Sequence, residues 1–268
     1  MFQKEININF SIITVVKNDL QGLMNTKDSI YNQIFTDFEW IIIDGNSNDG
    51  TVEFIHNLNF QNIKFISEND NGIYDAMNKG IIFCSNNYVL YLNAGDTFNL
   101  SDSLSQVAAH LKNNPVDVLF CGVIQFLNRD ISFYRKPIKI EKSIHHGLPG
   151  HHQGTFYSKS ILNLVKYDTN FISADYKIIA DMYNLGINSD ILNFPVSKFL
   201  IGHYSFNNIY KILFSSTHIQ YKILNTNYHL ILFSFLKRLT ISLLLQIIFN
   251  YPRLYIFYSF LRNLIISK

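Results

Sequence analysis

The sequence predicts an α/β domain with a mostly parallel, doubly wound sheet, followed by a helical C-terminal appendage. Strand-like apolar runs alternate with helical patterns four times before residue 115, and such repeats are typical of parallel sheets. The runs contain few polar residues, as expected for strands that helices cover on both faces. All 20 Asp and Glu lie at or before Asp190, whereas eight of the 22 Lys and Arg follow it. The last part of the chain therefore differs in composition from the rest.

Each element of the first half follows from a local pattern. β-Branched apolar runs that end in polar turns predict strands over 10–16, 38–44, 63–67 and 88–96. Apolar residues at helical spacing predict helices over about 20–33, 50–58, 73–84 and 101–114. Ser101 or Ser103 is the predicted N-cap of the last helix, because a Ser hydroxyl accepts a hydrogen bond from a free N–H of the first turn.

The pattern is less regular beyond Asp117. It predicts strands over 117–126 and 130–138 joined by a turn at 128–130, a Gly- and His-rich loop over 145–158 that leads into a strand, and an amphipathic helix over 174–186. Gly186 is the stop signal of that helix. The change in composition near Gly202 predicts a domain over 1–202 and a tail over 203–268.

The composition excludes several classes of protein. Two cysteines, Cys84 and Cys121, provide neither a disulfide framework nor a CxxC metal motif, which favours a reducing compartment. The N-terminal "MFQKEININF" lacks the basic start and the apolar run of a secretory signal. These features predict a cytoplasmic location.

Polar residues follow each of the first four predicted strands. They occupy positions 14–18, 44–49, 68–72 and 93–96. Ligands of open α/β sheets bind outside the carboxyl ends of the strands, so these residues are expected at one edge of the sheet. Acidic groups gathered there suit a divalent cation, a ribose hydroxyl or a base N–H, and they repel a phosphate unless a metal ion intervenes.

Two common loop motifs do not fit. A calcium loop that starts at Asp44 would need Gly at its sixth position and Glu at its twelfth, where the chain has Asp49 and Ile55. A dinucleotide-binding site would need a glycine fingerprint after the first strand, which "TVVKNDLQG" lacks. A plain turn-rich loop stays open for residues 44–51, since Asp, Asn and Gly tolerate left-handed conformations.

Four motifs together resemble a known family. "SIITVVKND", "IIIDGNSNDGT", "SENDNGIYDAMNKG" and "YVLYLNAGDTF", in this order and spacing, are similar to the donor-binding half of family 2 inverting glycosyltransferases with the GT-A fold. The strongest resemblance is to bacterial enzymes that build capsule, O-antigen or exopolysaccharide units. It covers about residues 10–100 and, less closely, about 150–190.

The resemblance implies a hexosyltransferase whose GT-A domain binds the donor through about residues 1–122 and the acceptor through about 123–202. The implied donor is a nucleotide-diphosphate sugar, UDP-linked in particular. The implied donor contacts are Thr14, Val16, Asn18, Asp44, Asp70, Gly72, Asn78, Lys79, Asn93, Ala94 and Gly95. Asp44 would accept a hydrogen bond from the N3–H of uracil, Lys79 would lie near the diphosphate, and Gly72 would let the backbone turn sharply.

The family usually has a pair of acids, the DxD-like metal signature, where this chain has "NAGD". Gly95 stands in place of the first acid, which leaves Asp96 as the implied ligand of Mg²⁺ or Mn²⁺. One carboxylate can still hold such an ion together with diphosphate oxygens and waters, since Mg²⁺ commonly binds through one or two carboxylates.

An inverting transfer needs a base, because the acceptor hydroxyl loses its proton as it attacks C1 of the sugar. "FISADYKIIADMYNLG" resembles the segment that supplies this base, and the resemblance gives Asp175 that role. A negative charge at Asp175 would also stabilise the first turn of a helix without any catalytic role. Asp181 lies six residues further on, on a different face of the helix.

The histidines His145, His146, His151 and His152 raise the question of a zinc site. Zinc sites usually add Cys or Glu at helical or CxxC spacing, and no such partner lies nearby in the sequence. "HHQGTFYSKS" instead resembles the acceptor-side segment of the family, which implies that His152 contacts the acceptor or the diphosphate.

The tail contains no carboxylate and many bulky apolar residues. Its run "LTISLLLQIIF" over 239–249 is shorter than the roughly 20 residues that a bilayer-spanning helix needs. Basic residues beside an apolar face favour a helix on the membrane surface, although spanning the bilayer and packing on the core stay open. The scattered charges argue against nucleic acid as a partner. The predicted location is peripheral, on the inner face of the cell membrane.

The predicted function is transfer of a sugar to a lipid-linked oligosaccharide, with inversion, in the synthesis of a bacterial surface polysaccharide such as capsule or lipopolysaccharide. Two alternatives stay open. A sugar nucleotidyltransferase would need a basic, glycine-rich loop after the first strand, and "VVKNDLQG" offers little of that. A degenerate transferase kept as a membrane-bound partner protein is favoured by the missing acid at Gly95.

Overall fold

The computed structural model describes residues 7–59, 61–128, 131–201 and 207–251. The strands are β1 (Phe10–Val16), β2 (Phe38–Asp44), β3 (Ile63–Ser67), β4 (Tyr88–Tyr91), β5 (Thr97–Phe98), β6 (Val118–Phe126), β7 (Ser132–Arg135), β8 (Thr155–Ser158) and β9 (Ser189–Leu200). The helices are α1 (Leu20–Tyr31), α2 (Thr51–His56), α3 (Ile73–Ile82), α4 (Ser103–Asn113), α5 (Ile140–Ser143), α6 (Lys159–Leu164), α7 (Ala174–Asn184), α8 (Ile209–His218) and α9 (Tyr228–Asn250). A 3₁₀ turn at His152–Gly154 precedes β8, and a π-helical turn at Ile219–Ile223 lies between α8 and α9.

The described strands form one sheet in the order β3-β2-β1-β4-β8-β6-β9-β5, with β7 paired to β6. The strands β1 to β4 are parallel, and their register pairs Val16 with Asp44 and Asp44 with Ser67. The chain changes direction across the sheet between β1 and β4. Parallel α/β sheets bind ligands at such a switch point, so the polar residues that follow β1 and β4 are brought together there.

Antiparallel pairs enter the sheet at β8, which pairs with β4 and β6. The strand β9 runs parallel to β6, whereas β5 and β7 add antiparallel edges. The sequence pattern did not predict β9, because this strand mixes Ser, Asn and Lys with apolar residues and contains Pro195. The proline lies where the register with β6 shifts between Cys121 and Gly122, and such a bulge tolerates a residue without an N–H.

Helices cover both faces of the sheet, as a doubly wound arrangement requires. On one face α3, α6 and α7 pack on a cluster that contains Ile13, Ile41 and Tyr91. On the other face α1, α2 and α4 pack on a cluster that contains Phe10 and Trp40. Every residue of β1 and β2 is buried, which explains why these strands read as continuous apolar runs.

Most bounds of the early elements agree with prediction, but β4 ends at Tyr91 and not at Asp96, and the N-cap of α4 differs from the prediction. The strands β1, β2 and β3 begin and end at the predicted residues, and the helices that follow are two or three residues shorter than predicted. The N-cap of α4 is Asp102, whose own side chain makes no capping hydrogen bond. The Ser103 hydroxyl accepts the Leu100 N–H (3.1 Å), and Oε1 of Gln33 accepts the Leu104 N–H in the first turn of the helix (3.1 Å). The predicted end of α7 is confirmed: Gly186 has φ +73° just beyond it.

The pairing of β6 with β7 confirms the predicted hairpin, although part of its turn and the predicted boundary at Gly202 lie outside the described residues. In the tail, α9 begins at Tyr228, well before the apolar run at 239–249. The segment Tyr228–Ile248 has 21 residues and a mean hydropathy of 1.8, and 11% of its most apolar window is buried. By length and composition this helix can cross a membrane, so the argument that the run is too short does not hold.

Candidate active site

Two neighbouring cavities lie at the carboxyl edge of the parallel strands. The strand-end cavity, of about 400 Å³, is lined by Val15, Val16, Lys17, Asp19, Asp70, Gly72, Ile73, Ala76, Asn93 and Ala94. The large cavity, of about 760 Å³, lies between this edge, α7 and the tail helices, and its lining includes His151, His152, Asp175, Ile209 and Arg238. Gly72 and Ile73 line both cavities, so a molecule in one is separated from a molecule in the other by a single loop.

The strand-end cavity is built by the ends of β1 and β4 and by the loop before α3. The Ala94 N–H donates to the Val15 carbonyl (3.1 Å), which holds the two strand ends together. The Asp70 carboxylate accepts the Gly72 N–H (2.9 Å). A Cβ on Gly45 would lie 2.3 Å from Oδ2 of Asp70, so the close approach of this carboxylate requires glycine at position 45.

Several predicted donor contacts lie at this cavity. Val16, Asp70, Gly72, Asn93 and Ala94 line it. Gly95 lies beside it, since a Cβ there would be 3.8 Å from Oδ2 of Asp19. Asn18 belongs to the adjoining loop, where its N–H donates to the Ser47 hydroxyl (2.8 Å) and its Oδ1 accepts the Asn48 N–H (2.9 Å). The side chain of Asn18 therefore joins two loops of the cavity rim.

Thr14 and Asp44 do not line the cavity, in contrast to the prediction. Both are fully buried. The Thr14 hydroxyl donates to the Leu92 carbonyl (2.7 Å) and accepts the indole N–H of Trp40 (2.9 Å). The Asp44 carboxylate accepts the N–H and the hydroxyl of Ser47 and the hydroxyl of Ser67. These side chains tie the strand ends together beneath the site.

Asn78 and Lys79, which were predicted to contact the sugar donor, form hydrogen bonds within the protein instead. The Asn78 amide donates to the Tyr167 carbonyl (2.8 Å) and accepts the Tyr167 N–H (3.0 Å), which clamps α3 to the segment before α7. Lys79 Nζ donates to the Asn69 carbonyl and pairs with Glu68 (2.9 Å) and Asp75 (3.5 Å). The hydrogen bond that Lys79 donates to Glu68 raises the pKa of Lys79. Lys79 therefore holds the polar loop 68–75 in place, and Asn78 fixes the helix that follows this loop.

The predicted metal ligand does not face the strand-end cavity. Asp96 is 8% exposed. Burial raises the pKa of its carboxyl to about 7, although a hydrogen bond with Gln153 acts in the opposite direction. No group of three or more His, Cys, Asp or Glu suited to a metal ion occurs within the residues that the structure describes. The carboxylates that line the strand-end cavity are those of Asp19 and Asp70. Two carboxylates on one cavity fit a divalent cation that takes its other ligands from phosphates and water.

The residue Asp19 was not predicted as a site residue. Its carboxylate caps α1 by accepting the Gly22 N–H (2.9 Å), and it lines the strand-end cavity at the same time. The signal was present in the polar turn "KND" directly after the first strand, although an N-cap role explains an Asp at that position equally well.

Asn93 and His152 connect the two cavities. The Asn93 Nδ2 lies 3.3 Å from Nε2 of His152, whose pKa is lowered to about 3, chiefly by burial and further by His151. The ring is therefore neutral, and Nε2 accepts the amide proton. The Oδ1 of Asn93 is buried and has no partner within the described residues. Buried polar atoms are rarely left unpaired, so this oxygen points to a donor on a ligand.

The four histidines of residues 145–152 do not converge. His145 Nδ1 lies 2.8 Å from the Thr226 hydroxyl, the His146 ring packs against Phe233, and the His151 ring packs against Phe199. The pKa of His151 is lowered to about 4 by burial and by Arg135. Only His151 and His152 line the large cavity.

Asp175 lines the large cavity from the first turn of α7. Its Oδ1 accepts the Tyr176 N–H (2.8 Å). Burial raises the pKa of the carboxyl to about 6, so it is ionised at neutral pH and is a stronger base than an exposed Asp. Asp181 does not line the cavity and instead pairs with Lys177 (2.7 Å).

The tail helices supply one wall of the large cavity. Ile209, Ile212 and Leu213 of α8 and Arg238 and Ile241 of α9 are among its lining residues. No sequence motif indicated that Arg238 belongs to a site, because Lys237 and Arg238 fit the basic border of an apolar helix equally well. The tail is therefore part of the candidate site and not only an appendage.

Comparisons with known proteins show what the chain resembles. A family model described as Glycosyl transferase family 2 matches residues 11–182. An uncharacterized glycosyltransferase of Mycobacterium tuberculosis is 32% identical over 174 residues, which are 63% of this chain and 66% of the relative. The PGL/p-HBAD biosynthesis glycosyltransferase of Mycobacterium bovis is 35% identical over 120 residues, which are 43% of this chain and 46% of the relative. The chain thus spans less than two thirds of the length of these curated relatives.

Solved structures share the fold. S. aureus TarS 1–349 in complex with UDP-GlcNAc has a TM-score of 0.67 at 20% identity, covering 86% of this chain and 72% of that chain. The mannosyltransferase PcManGT from Pyrobaculum calidifontis, in complex with GDP-Man and Mn²⁺, has a TM-score of 0.61 at 13% identity, covering 79% and 64%. These likenesses show a GT-A-type α/β fold with a helical C-terminal part.

Proposed function

The chain belongs to glycosyl transferase family 2, and on this premise we propose that it transfers a sugar from a UDP-linked donor to a lipid-linked glycan, with inversion, in the synthesis of a bacterial surface polysaccharide. The donor would occupy the strand-end cavity and the acceptor the large cavity. The reaction would take place at the cytoplasmic face of the cell membrane.

The observation that carries this proposal is the loop that the two cavities share. Gly72 and Ile73 line both cavities, and Asp175 lines only the large one. Inversion requires the acceptor hydroxyl to attack C1 from the side opposite the leaving diphosphate. A donor and an acceptor on either side of one loop meet this requirement, with the base on the acceptor side.

The chain's own residues would divide the chemistry between them. Asp175 would take the proton of the attacking hydroxyl, since it is ionised above a pKa of about 6. Asn93 would accept a hydrogen bond from the donor through its unpartnered Oδ1, held in place by His152. Asp19 and Asp70 would hold Mg²⁺ or Mn²⁺, which would neutralise the charge of the departing diphosphate.

We expect UDP to raise the thermal midpoint of the protein by several degrees, and Mn²⁺ to enlarge the shift. A ligand at 100 times its Kd adds about 2.7 kcal/mol to the free energy of unfolding, and each kcal/mol moves the midpoint by about 2–4 °C in a domain of this size. The measurement is a thermal scan with UDP, dTDP, GDP, CMP and NAD, each with and without Mn²⁺. UDP is the choice to test because TarS was solved with UDP and UDP-GlcNAc, whereas PcManGT was solved with GDP-Man.

A shift of the thermal midpoint with GDP alone would identify GDP, and not UDP, as the donor nucleotide. The proposal that the protein is a transferase would still hold. The absence of a shift with every nucleotide, in folded protein, would favour the second candidate, a degenerate transferase that serves as a membrane-bound partner. The burial of Asp96 and the glycine at position 95 support that second candidate, because both leave the usual acidic signature incomplete.

The exposed face of α9 supports a membrane-bound acceptor. Bulky apolar residues on this helix are 40% or more exposed, among them Leu232, Phe233, Leu236, Leu244 and Ile247. The tail carries seven basic residues and no acid, and anionic lipid attracts each nearby basic residue by about 1 kcal/mol. A helix lying on or in the inner leaflet would bring the large cavity to a lipid-linked acceptor.

We expect the double variant Leu236→Asp/Leu244→Asp to bind phosphatidylglycerol vesicles at least about tenfold more weakly than the wild type, because two charged groups would enter the apolar contact. Vesicle co-sedimentation measures this binding. The matched control is Ile82→Asp/Leu164→Asp, since these residues are also apolar and are 70% and 76% exposed on α3 and α6. An equal loss in both double variants would mean that α9 is not the membrane-binding surface.

A further inference from the structure

Arg238 is a partly buried cation, and no acidic side chain among the described residues forms an ion pair with it. Its Nε donates to the Ser234 carbonyl (3.2 Å), and one Nη donates to Oε1 of Gln220 (3.0 Å) and to the Ser234 hydroxyl (3.4 Å). No salt bridge of Arg238 occurs within the described residues. Lys177, by contrast, pairs with Asp181 and Asp168.

Such an arrangement is costly unless a further partner is present. Taking a cation out of water is unfavourable, and buried charges in proteins are normally paired or bound to ions. Here burial lowers the pKa of Arg238, which reports the same unfavourable surroundings. The neutral oxygens of Gln220 and Ser234 fix the position of the guanidinium but leave its charge uncompensated.

Arg238 is one of the few charged side chains in the lining of the large cavity. Among the described residues that line this cavity, the charged side chains are Asp175 and Arg238, since His151 and His152 are neutral. The wall that the tail helices supply to this cavity is mostly apolar: it contains Ile209, Leu213 and Ile241, together with Arg238 itself and Ser242. This wall belongs to the same two helices that expose apolar side chains outside the cavity.

We propose that Arg238 binds the phosphate group of the acceptor, with an acceptor sugar hydroxyl at Asp175 and an apolar chain leaving the cavity along α8 and α9. This inference rests on the proposed transferase function and names its acceptor class: a sugar joined through phosphate to a long apolar chain. A guanidinium matches a phosphate through two parallel N–H···O bonds. The apolar wall would bind the apolar chain of the acceptor, and the negative charge of Asp175 disfavours a phosphate beside that carboxylate.

The phosphate of a bilayer lipid is the other source of the same chemistry. Lys237 is exposed on α9, next to Arg238 in the chain, and is the better placed of the two for head groups. Arg238 lies in the cavity that also contains the proposed base. The acceptor is therefore the source to which the geometry points, and Lys237 provides a matched control with the same change of charge.

The experiment measures the affinity of the full chain for two amphiphiles below their micelle concentrations, decyl phosphate and decyl β-glucoside. Wild-type protein and Lys237→Gln are expected to bind decyl phosphate at least about tenfold more tightly than decyl glucoside. Arg238→Gln should lose this preference, a loss of roughly 10- to 100-fold for the phosphate only. Arg238→Lys should keep part of it, because the charge remains without the bidentate geometry.

Three outcomes would overturn the inference: no preference for the phosphate in the wild type, no binding of either amphiphile, or an equal loss in Arg238→Gln and Lys237→Gln. The wild-type comparison needs no variant, so a folding defect of Arg238→Gln does not affect it. Binding to phosphatidylglycerol vesicles should be unchanged in Arg238→Gln, and a loss there would assign the residue to head groups instead. UDP binding by thermal scan separates the two proposals, since its absence counts against the transferase and not against the phosphate site.

Discussion

Replacement of Asp175 by Asn is expected to lower kcat for sugar transfer by about 10²- to 10⁴-fold while raising the thermal stability of the protein. A positioned general base contributes about that factor to a rate, and Asn cannot accept the proton. Asp175 lines the large cavity from the first turn of α7, so the substitution leaves the shape of the cavity almost unchanged. Steady-state transfer assays and thermal scans on the same preparation measure both effects.

The stability gain follows from the sign of the pKa shift. The pKa of Asp175 is raised from 3.8 to about 6 in the folded chain, so ionisation of this carboxyl is less favourable folded than unfolded. A shift of this size corresponds to roughly 3 kcal/mol of destabilisation above pH 6. Below about pH 4 both states hold the proton, and the penalty vanishes. Asp175→Asn should therefore raise the midpoint by several degrees at pH 8 and leave it unchanged near pH 4.

The same pKa sets the pH dependence of the wild-type enzyme. The base must be ionised to act, so kcat/KM should fall about tenfold per pH unit below pH 6. Asp181→Asn is the matched control on the same helix, because Asp181 pairs with Lys177 outside the cavity. It should keep activity within about threefold and gain no stability. Full activity in Asp175→Asn would show that the base lies elsewhere, and an equal loss in both variants would indicate damage to α7.

The fold was predictable where local pattern and topology agree. The strands β1, β2 and β3 have the predicted bounds because each apolar run ends at a polar turn. The runs of β1 and β2 are buried on both faces, whereas the edge strand β3 is only partly buried. The long strand β9 was missed because its burial depends on β6, a partner more than 60 residues away in sequence, and because Pro195 is tolerated only at the bulge opposite Gly122. Those are long-range conditions that a local pattern does not contain.

The site was predictable to the level of the sheet edge but not of the side chain. The rule that ligands bind at strand ends correctly brought Asp70, Asn93 and Ala94 to one cavity. It could not tell which way a strand-end side chain points: Asp44 turns inward because Ser67, from the next strand, donates to it. Arg238 comes from the opposite end of the chain, and only the folded tail brings it to the cavity that contains Asp175.

Gly72→Ala is expected to reduce kcat/KM by about 100-fold through the backbone alone. Gly72 has φ +109° and ψ 173°, a region that is essentially limited to glycine and costs other residues about 1–3 kcal/mol. No atom lies within 4 Å of the position of an added Cβ, so the effect is not a clash. The loop would relax instead, and this loop borders both cavities. A misplacement of about 1 Å at a reacting centre can cost 10²-fold in rate.

The relaxation should change donor and acceptor kinetics together, because the Gly72 N–H donates to Asp70 (2.9 Å) and the Gly72 carbonyl accepts the N–H groups of Asp75 and Ala76 in α3. Gly186→Ala is the control: Gly186 also has φ +73° and open space around it, but it ends α7 away from both cavities. It should lose about 1–2 kcal/mol of stability with transfer intact. Equal losses of activity in the two variants would mean that reduced stability, and not the shared loop, explains the effect of Gly72→Ala. Unchanged activity in Gly72→Ala would mean that the loop is not part of the site. There would then be no reason to place the donor and the acceptor on its two sides.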